Sequence, residues 1–303
     1  MPVQVVPRDV VEAVEGRQGV NFATAVPKAP PTAERPQATD IDAIIDRPSI
    51  ARANLAPSTE KPEGSREYVD SLNLEDYTVL QQHVMFWDRD RDGQIWPHDT
   101  FIGFYELGFN LFFCLLATLI INLNFSYPTR LAFSYLPDPF FRVYVPSIHK
   151  AKHGSDSGTY DKEGRFVPQA FEDLFSKFDR GNKGALSARE LWSIMSANRL
   201  AVDPFGWFAS IFEFGVTFLL VQKDGMVDKE DLRGIYDGSM FWRIRDAYRS
   251  EKGWNKGFGF HEFFNLSREV GQEELAKNRS RFPLLDGIVS QVEKTFPHKL
   301  RKA

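Results

Sequence analysis

The sequence has only one cysteine in 303 residues, and this scarcity excludes an internal disulfide and the cysteine-rich zinc and iron–sulfur sites. It also lacks a basic excess: 37 Lys and Arg against 41 Asp and Glu give a net charge of -4, which argues against a nucleic-acid-binding protein. No apolar stretch stands near the N-terminus, so no secretory signal is expected. Phenylalanine is abundant, with 27 residues. The chain therefore has much ring surface to bury, in its own core or in lipid.

Five segments differ in composition. Residues 1–65 are rich in proline and charge and follow no helical or strand period, which predicts a disordered arm. Residues 66–106 hold a helical pattern and an acidic loop, and 107–146 form an apolar segment with a proline-rich bend. Residues 147–250 form a second helical half, and 251–303 are a C-terminal extension. The pattern favours a mainly α fold. One more packed element is indicated in the extension by Phe258, Phe260, Phe263 and Phe264.

The acidic loop begins at Asp88 and fits the EF-hand calcium-binding pattern. Acidic residues fall at positions 1, 3 and 5, glycine at position 6 allows the sharp turn, and position 7 offers a backbone carbonyl. Close carboxylates repel one another unless a cation lies between them, so a plain acidic turn is the weaker interpretation. Position 12 is an aspartate, shorter than the usual glutamate, which shifts the preference toward Mg²⁺ although calcium is still expected. The predicted ligands are Asp88, Asp90, Asp92, Gln94 and Asp99.

EF-hands occur in pairs, and two later stretches have the shape of EF-hand loops without the full ligand set. The stretch 179–190 keeps the glycine at position 6 and Glu190 at position 12, but Gly181 and Lys183 stand where carboxylates are needed. A third loop around Gly225 keeps only the second half of the pattern. Both loops are expected to be structural. The sequence thus predicts an EF-hand-like helix–loop–helix pair with one calcium-binding member.

An uncharged run extends over residues 107–125. As a helix it is about 28 Å long, close to the thickness of the hydrocarbon core of a bilayer. Pro128 is expected to end this helix, and two further prolines bend the apolar chain that follows. The pattern predicts a proline-bent, membrane-associating hairpin, with a buried core helix as the alternative. A second apolar run, 205–221 with Glu213 as its one charge, is interpreted as a core helix of the second half.

Histidines at two places in the sequence are candidates for metal or cofactor chemistry. His83 shares a helical face with apolar residues, so its ring is expected to face the core, where a hydrogen-bonded structural histidine is the simplest interpretation. His149 and His153 are four residues apart between a proline and a glycine, which is typical of one face of a short helix. A metal site formed by these two histidines is therefore an alternative interpretation, although no further zinc-type ligands stand nearby.

The order of these motifs resembles the caleosin family. The resemblance rests on QQHVMFWDRDRDGQIWPHDTF, on GFNLFFCLL, on the proline-rich bend and on IHKAKHGSDSGTYDKEGRF, and it covers roughly residues 72–245. The N-terminal arm and the tail after residue 252 fall outside it and are similar to lineage-specific additions in fungal members. The resemblance implies calcium-binding proteins of lipid droplets, several of which are haem peroxygenases.

For this chain, the resemblance implies a haem held by two histidines, which the motifs assign to His83 and His153. It implies an enzyme that takes oxygen from a fatty-acid hydroperoxide, leaves an alcohol and epoxidises an unsaturated fatty acid. No haem-attachment Cys-x-x-Cys-His motif occurs, so a haem is expected to be non-covalent. The short distance along the chain from His83 to Asp88 predicts that calcium binding affects the haem ligand. The expected location is the lipid-droplet monolayer or the endoplasmic reticulum membrane.

Two other functions are open from the sequence. One is a non-enzymatic calcium-binding protein of the lipid-droplet coat, in which His83 and His153 serve only packing. The other is a membrane-anchored calcium adaptor for a protein partner. A Soret absorption band distinguishes the enzyme from both. A homo-oligomer is a further alternative that agrees with the sequence.

Overall fold

A computed structural model describes residues 37–250 and 253–257. The described chain is mainly helical, as predicted, and its strands are short. The helices are α1 (Arg66–Ser71), α2 (Val79–Val84), α3 (Pro97–Glu106), α4 (Leu111–Arg130), α5 (Pro168–Phe178), α6 (Ala188–Asn198), α7 (Pro204–Val221), α8 (Lys229–Tyr236) and α9 (Ser239–Arg249). The strands are β1 (Gln94–Ile95), β2 (Val143–Tyr144), β3 (Ala185–Ser187) and β4 (Met226–Asp228), and 3₁₀ helices cover Ile41–Ala43 and Val145–Ala151. The element predicted around Phe258–Phe264 lies outside the described residues.

The strands join the EF-hand-like loops in an unexpected pairing. β3 and β4 are antiparallel, with Leu186 opposite Val227, so the loop at 179–190 pairs with the third loop. β1 of the calcium loop pairs instead with β2, with Ile95 opposite Val143. The helix–loop–helix fold is confirmed, but the calcium loop pairs with the chain that follows the apolar segment. All four of these residues are buried, so each small sheet contributes an apolar pair to the core.

Helix α4 is the apolar segment, and it begins and ends later in the chain than predicted. Asn110 caps its first turn by accepting the N–H of Phe113 at 2.8 Å, and the helix continues through Pro128 to Arg130. The prediction that Pro128 ends the helix was therefore wrong. The proline lies in the last turn, where its missing N–H removes a single hydrogen bond from the end of the helix.

One face of α4 packs on the protein and the other is exposed and apolar. Asn122, on the packed face, is buried and donates to the carbonyl oxygens of Phe141 at 3.0 Å and Ile95 at 3.4 Å. This explains how a polar residue fits inside an apolar helix. The rest of the packed face includes Cys114, Ala117, Thr118, Ser126 and Thr129, and the outer face exposes Leu111, Phe112, Leu115, Leu119 and Leu123 by 48% to 69%.

Helix α7 is the second apolar run and only partly the core helix that was predicted. Its C-terminal half is buried, whereas its first half exposes Phe205, Phe208 and Ile211. By length and composition, α4 and α7 are the described helices that could cross a membrane. Each has one side packed against protein, which fits a helix lying on a lipid surface better than one surrounded by lipid.

The chain after α4 bends back to the calcium loop, as the predicted proline-bent hairpin requires. The bend exposes Tyr135 and Leu136 and is fixed by Asp138, which is buried and accepts from Nε of Arg142 at 2.7 Å. Burial opposes ionisation, but the Arg142 guanidinium and the N–H of Phe140 outweigh it and lower the pKa of Asp138 to about 2. An ionised Asp138 thus holds the bend closed at neutral pH.

The described part of the N-terminal arm, residues 37–65, makes specific long-range contacts, whereas the sequence predicts a disordered arm. The backbone of Arg52 exchanges two hydrogen bonds with that of Phe166. The N–H of Thr59 donates to Glu172 at 2.8 Å, and Lys229 pairs with Glu172 at 2.7 Å in a buried ion pair. These partners lie far along the sequence, so local composition could not indicate them. Residues 1–36 lie outside the described residues.

Candidate functional site

The calcium loop is built around Asp88. Its side chain is buried, and its Oδ2 accepts the N–H of Gly93 at 3.0 Å across the sharp turn. Carboxylate oxygens of Asp88, Asp90 and Asp92 lie within 4.8 Å of one another. The other oxygen of Asp88, Oδ1, is buried and has no hydrogen-bond partner among the described residues. A cation between these three side chains supplies that missing partner, so the donor set fits calcium.

Asp88 is poised to couple calcium binding to protons. Burial, together with the negative charges of Asp92 and Asp90, raises the pKa of Asp88 from 3.8 to about 6. The metal-free loop therefore binds a proton more tightly than the unfolded chain does, and a calcium ion must displace that proton.

We expect the stability and the calcium affinity of the protein to change with pH in opposite directions. Because the folded pKa of Asp88 is raised, the metal-free protein should lose stability as the pH rises from about 4 to about 6. Calcium affinity should rise over the window around pH 6. Thermal melting without metal and calcium titrations between about pH 5 and about pH 7 measure the two trends. A calcium affinity that does not change across this range would contradict the prediction.

The two other predicted ligands have different surroundings. The side chain of Gln94 donates to Oδ2 of Asp92 at 3.2 Å and accepts from the guanidinium of Arg142 at 2.9 Å. Asp99 accepts the N–H of Trp96 at 3.0 Å as a helix cap and is not part of the carboxylate cluster. The structure thus brings together the first three of the predicted ligands. The roles of Gln94, through its position-7 carbonyl, and of Asp99 stay predictions.

The second EF-hand-like loop carries its own cation. Nζ of Lys183, at position 5, lies 2.9 Å from Oε1 of Glu190 and also pairs with the carboxylate of Asp179. Asp179 keeps the position-1 contact of an EF-hand and accepts the N–H of Gly184 at 2.8 Å. The ammonium therefore bridges the carboxylates of positions 1 and 12, which hold the ion in a calcium-binding loop. This gives a physical reason for the predicted loss of metal.

Replacing Lys183 with aspartate is expected to turn the second loop into a metal site. The substitution removes the internal cation and places a carboxylate at position 5, so calorimetry should count about two calcium ions per chain instead of about one. Lys183→Ala is the matched control, because it removes the ammonium without adding a ligand. This control should lose about 1–3 kcal/mol of stability and keep one calcium ion. A count that stays at one in Lys183→Asp would contradict the prediction.

His83 lies at the end of α2, a short helix whose first turn is closed by a capping box of Thr78 and Gln81. Its Nδ1 is 2.7 Å from the carbonyl oxygen of Ile235. A carbonyl only accepts, so Nδ1 carries the proton, and no described residue hydrogen-bonds to the lone pair on Nε2. Burial lowers the pKa of His83, although the Ile235 carbonyl opposes this shift. A neutral imidazole oriented by a backbone carbonyl is the form in which histidine ligates metals.

The surroundings of His83 fix the position of its ring. The ring centroids of Phe241 and Trp87 lie 5.2 and 6.2 Å from that of His83. Gly238 has a φ of 80°, and a Cβ there would lie 2.9 Å from Cα of His83, so only glycine allows this approach. The ring faces inward, as the helical spacing predicted.

His153 comes just after the 3₁₀ helix, which ends at Ala151. His149 and His153 therefore do not share one helical face, and the geometry behind a two-histidine metal site is wrong. The chain after His153 is anchored to the start of α7. Ser155 donates its N–H and its hydroxyl to Oδ2 of Asp203, each at 2.7 Å, and Asp203 also caps α7 by accepting the N–H of Gly206 at 3.0 Å.

The imidazole of His153 lies between two carboxylates. Nε2 is 3.6 Å from Oε2 of Glu213, and Nδ1 is 3.9 Å from Oδ2 of Asp203. Nδ1 is buried and has no hydrogen-bond partner among the described residues. Burial disfavours the charged ring, but Glu213, Asp156 and Asp203 outweigh it and raise the pKa of His153. The two histidines are thus tuned in opposite directions.

Glu213 is the functional residue that sequence reasoning missed. It was visible as the one charge in an otherwise apolar helix, a placement that is unfavourable without a partner. Its carboxylate pairs with His153, and its negative charge also acts on His83 and on the buried tyrosines Tyr160 and Tyr236. Two histidines from separate parts of the chain therefore lie within the field of one carboxylate.

The residues around these histidines fit a haem. The free Nε2 of His83 and the unpartnered Nδ1 of His153 are donors of the type that ligate haem iron. The ring of Phe205 lies 6.4 Å from that of His153 and 6.3 Å from that of Phe125 on α4. Each histidine thus has aromatic rings beside it, Phe205 at His153 and Phe241 and Trp87 at His83, and such rings are apolar surfaces of the kind a porphyrin packs against.

The chain is similar to a known protein family and to several curated relatives. The caleosin family model, described as caleosin related protein, matches residues 75–245. A peroxygenase of Lilium longiflorum is 36% identical over 225 residues, which cover 74% of this chain and 92% of that protein. The probable peroxygenase 4 of Arabidopsis thaliana is 39% identical over 179 residues, covering 59% of this chain and 90% of the relative.

A third relative carries a different name. The probable inactive peroxygenase-like protein of Arabidopsis thaliana is 32% identical over 144 residues, 47% of this chain and 67% of that protein. No solved structure matches the chain.

Proposed function

Because the chain belongs to the caleosin family, we propose that it is a calcium-binding haem peroxygenase that uses fatty-acid hydroperoxides at the surface of lipid droplets or of the endoplasmic reticulum. The relatives named peroxygenase support the oxidoreductase class. The haem, the calcium ion, the fatty-acyl substrates and the location are the finer parts of the proposal.

The observation that carries the proposal is the pair of differently held histidines: Nδ1 of His83 is fixed by the Ile235 carbonyl, and His153 lies between the carboxylates of Glu213 and Asp203. Family membership alone does not carry it, because one relative is named inactive. His83 offers a neutral imidazole with a free Nε2, and His153 offers an imidazole whose pKa is raised by neighbouring carboxylates. Cleavage of a peroxide needs one imidazole that ligates the metal, here His83, and one that accepts and returns a proton, here His153.

The proposed reaction balances without another oxidant. The O–O bond of a fatty-acid hydroperoxide breaks, its terminal oxygen adds to the double bond of an unsaturated fatty acid, and the hydroperoxide becomes an alcohol. A bound haem supplies the redox chemistry that cleaves the peroxide bond and transfers the oxygen. His153 accepts the proton of the hydroperoxide and returns it to the departing alkoxide oxygen. His83 would hold the haem through Nε2, which its Nδ1 contact with Ile235 leaves free, and the aromatic rings beside the two histidines would limit the access of water.

The exposed apolar face of α4 and the proline-bent chain after it support the lipid-surface location. Each buried CH₂ contributes roughly 0.8 kcal/mol, so even partial insertion of several leucine and phenylalanine side chains gives firm binding. The outer face of α7 begins with Phe205, which touches both α4 and His153. An acyl chain that leaves the lipid beside these rings is therefore close to His153.

Charging the outer face of α4 is expected to release the protein from lipid. Leu115→Lys with Leu119→Lys places two ammonium groups where exposed leucines now stand, and should shift most of the protein from floating droplets to the soluble fraction. Glu75→Lys with Asp76→Lys is the control, because it adds two lysines at exposed polar positions. Circular dichroism checks that both variants fold. Quantitative flotation of the α4 variant would contradict the assignment.

The experiment that tests the activity follows the oxygen atom. Purified protein is given a fatty-acid hydroperoxide labelled with ¹⁸O in both peroxide oxygens, together with oleic acid, in unlabelled water. Mass spectrometry should find ¹⁸O in the epoxide and in the alcohol. An unlabelled epoxide, or none from a protein that contains haem, would overturn the proposal. In that case the non-enzymatic calcium-binding lipid-droplet protein is the better interpretation.

A further inference from the structure

The turn between α6 and α7, together with the first half of α7, exposes a cluster of apolar side chains that we call the α7 tip. The side chain of Val202 in the turn is 94% exposed, and that of Phe208 in α7 is 74% exposed. Single exposed apolar side chains are common on protein surfaces, but a cluster of them in so short a stretch marks an interaction surface. The members of the α7 tip are Leu200, Val202, Phe205, Phe208 and Ile211.

Hydrogen bonds fix the turn of the α7 tip against the rest of the protein. The N–H of Leu200 donates to Oγ of Ser155 at 3.1 Å, and the same hydroxyl donates to Oδ2 of Asp203 at 2.7 Å. Nε1 of Trp207 donates to the carbonyl oxygen of Leu200 at 2.7 Å. These bonds close the turn onto the start of α7 and hold Val202 at the surface. A partner therefore meets a surface that is already formed, which lowers the entropic cost of binding.

The α7 tip adjoins the apolar segment. The ring of Phe205 lies 6.3 Å from that of Phe125, and the ring of Phe212 lies 6.2 Å from that of Phe113. The order of these contacts shows that α4 and α7 run in opposite directions, so the start of α7 lies beside the C-terminal half of α4. The bend with its exposed apolar side chains leaves the same end of α4. The α7 tip therefore continues the surface to which the lipid-surface location is assigned.

The residues beside the α7 tip fit a phospholipid surface. The guanidinium of Arg199, an exposed residue, lies 5.9 Å from the ring centroid of Trp207. An arginine and a tryptophan next to exposed aliphatic and phenylalanine side chains are typical of a segment at the boundary between headgroups and acyl chains. The apolar side chains enter the acyl layer there, while the guanidinium reaches the phosphate groups.

Building on the proposed lipid-surface location, we propose that the α7 tip is a second lipid-inserting element that enters the phospholipid monolayer beside α4 and the bend. The second half of the chain then binds lipid directly and is not only carried to the surface by the apolar segment. Because the ring of Phe205 lies 6.4 Å from that of His153, insertion of the α7 tip places the acyl layer beside the candidate haem site.

The first test places charge in the α7 tip and measures binding of the full chain to triolein droplets coated with phosphatidylcholine. Val202→Asp combined with Phe208→Asp should lower the droplet affinity by about tenfold or more, because two carboxylates would have to enter an apolar layer. Ser71→Asp combined with Asn73→Asp is the matched control, since it adds the same charges at exposed polar positions. Circular dichroism and the haem-to-protein ratio check that both variants keep the fold and the candidate haem site.

The second test reports insertion without placing a charge in the α7 tip. Cys114→Ala removes the single cysteine, and Val202→Cys in that background carries a nitrobenzoxadiazole label. Its emission should shift to the blue when droplets are added and should be quenched by phospholipids with brominated acyl chains. A label at Glu75→Cys, an exposed polar position, should show neither change.

The outcomes separate this inference from the proposed location. A tip variant that binds droplets as tightly as wild type, or a label at position 202 that shifts no more than the label at position 75, would overturn the inference alone. A label at 202 that is in apolar surroundings before droplets are added would also overturn it, since a second copy or another part of the chain would then cover the α7 tip. Wild-type protein that does not bind droplets would overturn both the inference and the lipid-surface location.

Discussion

His83→Ala is expected to remove haem from the protein and to reduce peroxygenase activity to the background rate. The substitution deletes the one imidazole in this site whose second nitrogen is free and whose orientation is fixed by the Ile235 carbonyl. No neighbouring described side chain can replace it, because the rings closest to it are those of Phe241 and Trp87. The Soret band and the haem-to-protein ratio after reconstitution are the direct measurements.

His149→Ala is the matched control for this loss. His149 belongs to the 3₁₀ helix and stands four residues before His153 in the same motif, but the helix ends between them. Its removal should leave haem content and turnover near the wild-type values. Calcium binding and the thermal melting curve should stay close to wild type in both variants, which separates loss of a ligand from loss of the fold. A His83→Ala protein that keeps stoichiometric haem would make this ligand assignment wrong.

Local sequence signals predicted the parts of the molecule that are built from neighbouring residues. The carboxylate cluster is an example: Asp88, Asp90 and Asp92 alternate along a few residues, and the glycine needed for the turn stands among them, so spacing alone predicts that they come together. The inward position of His83 followed in the same way from helical spacing. That the loop at 179–190 binds no metal stays a prediction, and the ammonium of Lys183 that pairs with its carboxylates is visible only in the structure.

Features that depend on contacts between distant parts of the chain could not be predicted from the sequence. Strand β1 pairs with β2, where Val143 lies opposite Ile95, and β2 follows the apolar helix in a stretch with no EF-hand ligands. Residues 37–65 have the composition of a disordered chain and are held by partners such as Phe166 and Glu172. Pro128 was taken as a helix end because sequence rules do not show which turn of the helix it will occupy.

The candidate site depends on distant contacts for the same reason. Its two histidines were assigned from local motifs that resemble those of the caleosin family, and their role as haem ligands stays a prediction. Glu213 lies far from both in sequence, and only the packing of α7 against the chain around His153 brings its carboxylate to the imidazole. A lone charge in an apolar helix signals that a partner exists without identifying it.

Asp88→Asn is the second change from which a large effect is expected, and it should abolish calcium binding. It removes the charge of the buried position-1 ligand, so calcium affinity should fall by roughly a hundredfold or more. The same change removes a buried carboxylate whose pKa is raised, so the metal-free variant should be more stable than metal-free wild type at neutral pH. Calorimetry and thermal melting with and without calcium measure the two effects.

Asp179→Asn is the control for Asp88→Asn, because it alters the same position of the loop that already holds an internal ammonium. It should leave the calcium affinity unchanged. Its stability should fall, since it weakens the ion pair with Lys183.

The calcium variant also tests how the loop reaches the rest of the site. Asp92 contacts Gln94, Gln94 contacts Arg142, and Arg142 holds Asp138 in the bend that follows helix α4. On the other side, His83 precedes Asp88 by five residues. Because these connections are short and made of charged or hydrogen-bonded groups, an ion that fixes the loop should also fix the bend and the haem ligand. We therefore expect Asp88→Asn to lower both turnover and flotation with droplets. If calcium binding were lost while haem content, turnover and flotation stayed intact, the loop would be a stabilising site with no control over the enzyme.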